Sequence, residues 1–580
     1  MSDVAQRIPL SKNFPKPVGS IGDWFIGDRF IGDWLIDDWF IDDWFIGDWL
    51  IGDWLIRDWG SAMGTSLIVV CLSTALALAI GMVSAAVASV IQDRNALTRA
   101  LTVCLDWSLV LYTVFPLVLQ ASVWEQTLGK FGWASVSAGR SFDAGRSFQS
   151  MTAVVWIHGL SGVGIIHWAM RMAMKGQSAQ VVRLAALEHP PWQRVRRIHI
   201  KLLWPAVAVA AILVSVRTAN EMSVTNLYAV VTVTERFYLQ CAVDPAISRS
   251  MFAVASPSMF AAISILLVQR FALRNRSIHT VAGQRTPVSY ADSTPNGSVE
   301  TFKVATAVLY ATTLMAVLLI PTVLSTTIKL GQTVEGFDAT MAGQRLLDGP
   351  RQFLSEASWT IAVAVGSGGL AFVFATGLVI LTNRIDRRWC TRLMQAAMWV
   401  LFCLPGPLVG LSVVRLFSVN VGWIITLRDQ TLIPLWLATM AKSVPILYCI
   451  LTTSIQRMPI TLRRMCVVQY APVQRIVRFY AGWLVGPSVA GCLLAGWLAA
   501  GDVAVTLPVA PAGVSTLATR LFGLLHSGAR FPEAVLTIWY VIGSTLVVAA
   551  IHFGLIHLRK LGSTKRAGSD RHAEGHQSLQ

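Results

Sequence analysis

Charge is scarce in this sequence. Asp, Glu, Lys and Arg make up 13% of its 580 residues, against about 25% in ordinary soluble domains. A chain so poor in charge and 54% hydrophobic is excluded from the soluble and disordered classes and reads as an all-α, polytopic membrane protein. No GxxxxGK followed by Ser or Thr occurs, so no phosphate cradle is expected and ATP hydrolysis is not expected on this chain. The eight cysteines contain no CxxC and lie mostly within apolar runs, and the ten histidines join no cluster of ligand spacing. No disulfide frame, metal site or cofactor is therefore expected. No Ser/His/Asp or Cys/His constellation emerges by spacing, which leaves no catalytic residue to nominate and no enzyme. Residues 1–20 have neither the h-region nor the small-residue cleavage site of a signal peptide.

The basic residues are few but ordered. A formal net charge of +16 would suit a nucleic-acid binder only if it were gathered in one domain. Here Lys and Arg fall in alternate gaps between apolar runs, which is a membrane topology signal, and no nucleic-acid partner is expected.

Residues 21–59 repeat the pattern Ile-(Gly/Asp/Arg)-Asp-(Trp/Arg)-(Phe/Leu) in eight copies. Five residues turn a helix by about 140° and reverse the face of a strand, so neither gains an apolar side. The ten Asp between Asp23 and Asp58 also bar it from a bilayer, where each costs about 2.5–3.5 kcal/mol against about 0.3–0.6 gained per Ile, Leu or Phe. Residues 1–60 read as a disordered or interface-lying Trp-rich tail outside the hydrocarbon; the alternative, a right-handed pentapeptide β-helix, would have only two coils from eight copies and Asp where a small inward residue is expected.

Beyond the tail, eleven apolar runs approach the roughly 20 residues of a spanning helix: 64–91, 100–124, 151–172, 204–224, 251–268, 302–324, 359–382, 393–417, 432–455, 487–505 and 534–555. With all eleven crossing, the gaps on one side carry 28 Lys and Arg and those on the other 11. The richer side is cytoplasmic and includes the gaps 171–201 and 456–486, the linker 271–300 and the tail 559–580. An odd number of spans puts residues 1–60 on the opposite side. The second half also has a helix, 302–324, where the first has only the repeat, so either a helix is lost or translation starts elsewhere.

The chain is written twice. Residues 183–205, RLAALEHPPWQRVRRIHIKLLWP, are echoed by 464–487, RMCVVQYAPVQRIVRFYAGWLVGP. Gln193, Arg194, Val195 and Arg197 match Gln474, Arg475, Ile476 and Arg478 at an offset of 281, and NEMSVT (220–225) matches GDVAVT (501–506) at the same spacing. The boundaries are a first unit at 61–270, a polar, turn-rich linker at 271–300 and a second unit at 301–558. Glu221 and Asp502 are paired by the repeat, near the outer ends of matched helices. Charge in or beside a span is costly and points to function, so these two are candidates to flank a translocation path, against the plainer reading that they end their helices in water. Arg217 and Lys442 lie deeper, where snorkelling or internal pairing is the ordinary role. Phe115-Pro116 and Leu404-Pro405-Gly406 are expected to kink corresponding helices.

The two basic segments, each followed by an apolar helix opened by Pro, resemble the EAA loop of permease subunits of binding-protein-dependent ABC importers, whose pattern is roughly EAAxxxGAxxWxxFxxIxLPxxxP. Trp192 to Pro205 fits it, with Lys201 at the first of its two prolines. The segments beginning at Asn220 and Gly501 are similar to the double-length permeases of the ferric iron and thiamine type. The likeness covers most of 64–558 and none of the tail. At the family's Glu-Ala-Ala and Gly positions the first loop has Arg183 to Glu188 and then His189-Pro190-Pro191. The second has Arg464-Met465-Cys466 and Gln469 to Pro472, and neither has the Gly.

The resemblance implies two tandem permease units in an inner membrane, with ferric iron or another small solute as cargo. It implies two separate ATPase subunits as partners, an extracytoplasmic solute-binding protein and surrounding membrane lipid. It also implies a coupling helix in each loop, with Ala185, Ala186, Glu188 and Arg194 in the first and Met465, Cys466, Gln469 and Arg475 in the second meeting an ATPase. Two other classes compete: an ion-coupled secondary transporter, which duplication and intramembrane charge also suit, and a membrane scaffold that transports nothing.

Overall fold

The computed structural model describes residues 59–92, 94–129, 132–134, 151–175, 200–243, 248–276, 297–333, 336–384, 388–456 and 481–577. In chain order the first helices are α1 (Gly60–Ile91), α2 (Ala96–Val114), α3 (Leu117–Leu128), α4 (Ala153–Lys175), α5 (Ile200–Ala219), α6 (Ser223–Leu227), α7 (Val233–Val243) and α8 (Ser248–Arg276). Then come α9 (Gly297–Gly331), a hairpin of β1 (Gln332–Thr333) and β2 (Gly336–Phe337), α10 (Ala339–Gln352), α11 (Leu354–Arg384), α12 (Arg388–Cys403) and α13 (Gly406–Leu416). The last are α14 (Gly422–Gln430), α15 (Ile433–Gln456), α16 (Ala481–Ala500), α17 (Val503–Val509), α18 (Leu517–Ser527) and α19 (Arg530–Gln577). The hairpin pairs Gln332 with Phe337; everything else in the described chain is helical or connecting, and Ala62–Gln580 forms one compact unit.

Among the described residues, seven helices are long and apolar enough to cross a bilayer, or nine if each bent pair counts as one span. The protein is a multi-pass membrane protein. Every one of the eleven apolar runs falls on a helix, but they are not alike. The run 393–417 is the bent pair α12 and α13, turned by 100°, and 487–505 is the pair α16 and α17, turned by 65°. The run 100–124 breaks between α2 and α3, and 204–224 and 251–268 yield only the shorter apolar helices Leu203–Ala219 and Pro257–Phe271. The breaks in 100–124 and 393–417 have a local cause. Pro116, Pro405 and Pro407 have no N–H to give to a carbonyl four residues back, and their rings clash with the preceding turn.

The long helices pack through their small residues. On α1, Val69, Ser73, Ala77, Gly81 and Ala85 lie four apart and are buried, while Leu67, Ile68, Leu72 and Val83 stand exposed. Water would favour the reverse. Lipid is as apolar as leucine, so side-chain size decides, and close backbone approach wins over burial of bulk. A Cβ on Gly81 would lie 2.7 Å from the Cβ of Ile166 on α4. The same stripe recurs on α11, where Val363, Ser367, Ala371, Ala375 and Val379 are buried and Ile361, Val365 and Val373 exposed. There a Cβ on Gly496 would meet Ala364 O at 2.2 Å and one on Gly368 would meet Cys492 O at 2.7 Å, so α11 and α16 touch almost backbone to backbone.

Candidate functional site: charges at two broken helices

Four charged side chains gather where the spans are interrupted, and each serves a helix end. A helix terminus inside a bilayer exposes carbonyls or amides that lipid cannot satisfy, and its dipole favours a cation at the C-terminus and an anion at the N-terminus. Glu221 precedes α6: Oε1 accepts from Ser223 N at 2.7 Å and from the Ser223 hydroxyl, and Oε2 accepts from Val224 N at 3.0 Å. Asp502 is the N-cap of α17 and accepts from Val505 N at 3.3 Å. Both carboxylates thus accept from backbone amides at the start of short helices, Asp502 as an N-cap and Glu221 from the residue before one.

The two basic groups attend to carbonyls at the opposite kind of terminus. Arg217 donates to Thr113 O at 3.3 Å, at the end of α2. Lys442 donates to Phe402 O at 3.3 Å and more closely to Leu404 O, at the end of α12. Glu221 and Asp502 both act electrostatically on Arg217, Asp502 acts on Lys442, and the two carboxylates act on one another. His158 of α4 completes the group, with Nδ1 2.8 Å from Val154 O and Nε2 3.4 Å from Glu221 Oε2. All four charged residues are half-buried among the otherwise buried residues that border the breaks.

The breaks are served crosswise. Asn220, at the end of α5, donates its amide to Cys403 O at 2.7 Å and more weakly to Leu404 O at 3.4 Å, across the break of α12 and α13. Gly501 stands at the end of α16, 281 residues on, and faces the other break: a Cβ there would lie 2.8 Å from Pro116 Cγ. At that break the carbonyl Pro116 strips of its donor, Tyr112 O, accepts instead from Gln120 Nε2 at 2.8 Å. Beyond the breaks, α3 packs on α6 as α13 packs on α17.

Two further polar clusters escaped sequence reasoning because their members lie far apart in the chain. Glu533 of α19 accepts from Ser122 at 2.6 Å, Gln126 at 2.8 Å and Lys329 at 2.5 Å, joining α3, α9 and α19. In the other, Ser84 Oγ lies 2.8 Å from His167 Nδ1, and His167 Nε2 lies 2.9 Å from Asp106. Arg171 extends this chain to Asp106 at 3.5 Å and Gln92 at 2.8 Å. Ser84, His167 and Asp106 thus form a hydrogen-bonded chain that spacing along the sequence does not reveal. Ser84 and His167 are wholly buried, and Ser84 also bonds to Gly81 O at 2.9 Å, so the chain ties α1, α2 and α4 together.

Ala185, Ala186, Glu188, Arg194, Met465, Cys466, Gln469 and Arg475 lie outside the described residues, as does nearly all of the Trp/Asp repeat. Among the described residues no group of three or more His, Cys, Asp or Glu could hold a metal ion. The chain matches no family model, no curated protein and no solved structure.

Proposed function

We propose that this protein is the membrane-spanning permease of an ATP-driven ABC importer, built from two fused units, 61–270 and 301–558, in an inner membrane. The crosswise contact carries the reading: positions 220 and 501, matched by the repeat, each reach the break of the other half. Two registers support the duplication. Helices α5 and α16 are offset by 281 residues at both ends, and the small-residue stripes of α1 and α11 match position for position at 294. Both basic segments, 183–205 and 464–487, enter a matched helix of this pair, which is where a separate ATPase subunit would push on each half. An extracytoplasmic solute-binding protein would deliver the cargo, ferric iron or another small solute, to a path flanked by Glu221 and Asp502.

The test is uptake into proteoliposomes by the protein co-purified with its ATPase. ATP-dependent uptake is expected, lost together with ATPase association when Arg194→Glu and Arg475→Glu are combined. A second reading, ion-coupled secondary transport, is favoured by the interrupted spans whose termini carry charge at depth. Uptake driven by a proton or sodium gradient with no ATPase present would select it, and a protein that moves nothing and holds no ATPase would be a scaffold.

A further inference from the structure

The two breaks are satisfied in chemically different ways. At the first, the amide of Gln120 covers Tyr112 O and Phe115 O from one turn away, and a guanidinium reaches Thr113 O. At the second, the sequence Leu404-Pro405-Gly406-Pro407 removes two backbone donors, and the chain turns by 100°. The carbonyls of Phe402, Cys403 and Leu404 are left without helical partners. Asn220 takes Cys403 O. Phe402 O and Leu404 O converge on one compact point charge, the Lys442 ammonium, within electrostatic reach of Asp502. Unwound carbonyls at the end of a half-helix, with a carboxylate nearby, are the donor set by which membrane proteins hold small cations.

Lys442 has travelled to this point. It is the tenth residue of the 24-residue helix α15, at the depth where a lone lysine costs about 2.5–3.5 kcal/mol. A neutral residue there would have spared that cost, had the carbonyls needed nothing. A guanidinium stays charged and is fixed by its planar fork, whereas an ammonium on a four-carbon stem can give up its proton and swing aside. Of the two basic groups, Lys442 is therefore the one that can exchange.

We propose that the break between α12 and α13 is a seat for a primary ammonium or a similarly small monovalent cation, formed by Phe402 O and Leu404 O, which the protein fills with its own Lys442. The seat does not depend on the importer reading, since it concerns what the break binds and not what drives the protein.

Lys442→Ala vacates the seat. The measurement is the thermal unfolding midpoint of full-length variant and wild type in detergent, with methylammonium chloride or choline chloride at equal ionic strength. Methylammonium is expected to raise the midpoint of the variant by several degrees more than choline does, and to leave wild type unmoved. Equal responses of the variant to the two salts would overturn the proposal. Should Lys442→Ala fail to fold, Lys442→Gln keeps a donor without a charge. If it matches wild type, a hydrogen bond suffices and there is no cation seat. If it is weaker, adding Asp502→Asn must restore stability by removing the unbalanced carboxylate, and a double variant no more stable than Lys442→Gln equally overturns the idea.

Discussion

Gly501 has little room to change. Its backbone needs no special conformation, yet a Cβ would sit 2.8 Å from Pro116 and 3.2 Å from the hydroxyl of Tyr540. Gly501→Ala is expected to cost about 1–3 kcal/mol by overpacking, read as a lower unfolding midpoint. Tyr540→Phe should be nearly silent, because that buried hydroxyl has no hydrogen-bond partner among the described residues. Asn220 is the opposite case, needed for what it donates. Asn220→Ala leaves Cys403 O bare and should cost about 1–3 kcal/mol. A drop in midpoint no larger than that of a neutral surface change would refute the bridging role. Glu221 and Asp502 were legible as a pair from the repeat alone. That both are bonded to the backbone at helix starts was not, since a carboxylate before a helix looks the same in sequence whether it caps, faces water or meets a solute.

Among elements, α9 is joined to α19 by the ion pair of Lys329 with Glu533, and Glu533 is almost fully buried. Glu533→Gln keeps the shape but strands the ammonium, for an expected loss of about 3–5 kcal/mol. Combining it with Lys329→Met should recover most of that loss in a double-mutant cycle of detergent-unfolding free energies. A pair that costs as much removed together as singly would mean the carboxylate acts through Ser122 and Gln126 alone. The helix α10, between α9 and α11, begins at the N-cap Asp338, whose carboxylate accepts from Thr340 and Met341. The Thr340 hydroxyl above all, then the two backbone amides, hold this carboxyl below its ordinary range. A depressed folded-state value means the cap stabilises the helix above the unfolded carboxylate range and is lost as pH falls through the folded one. Hydrogen exchange at Thr340 and Met341, corrected for intrinsic rates, should therefore quicken from pH 6 to acid pH in wild type. Asp338→Asn, which caps without titrating, should show no such change.

For the whole molecule, the membrane class, the helical class and the proline breaks could be read from residue order. Hydrophobic transfer and the missing proline donor are properties of a few neighbouring residues, which spacing alone reveals. The eleven apolar runs were legible as helix, but which are long enough to cross, and how sharply the broken ones turn, was not. A 20-residue apolar window averages over a kink, and only the tally of lost donors around Leu404 locates the turn.

What the residue order determined by itself was the solvent the chain must live in and where its prolines must interrupt its helices. What only the tertiary structure decided was who satisfies the interruptions: Arg217 reaches Thr113 across 104 residues and Asn220 reaches Cys403 across 183. The reason is that an orphaned carbonyl in an apolar medium demands a partner without naming one. Any donor brought within hydrogen-bonding distance will serve, and that meeting is set by how small-residue stripes let whole helices approach.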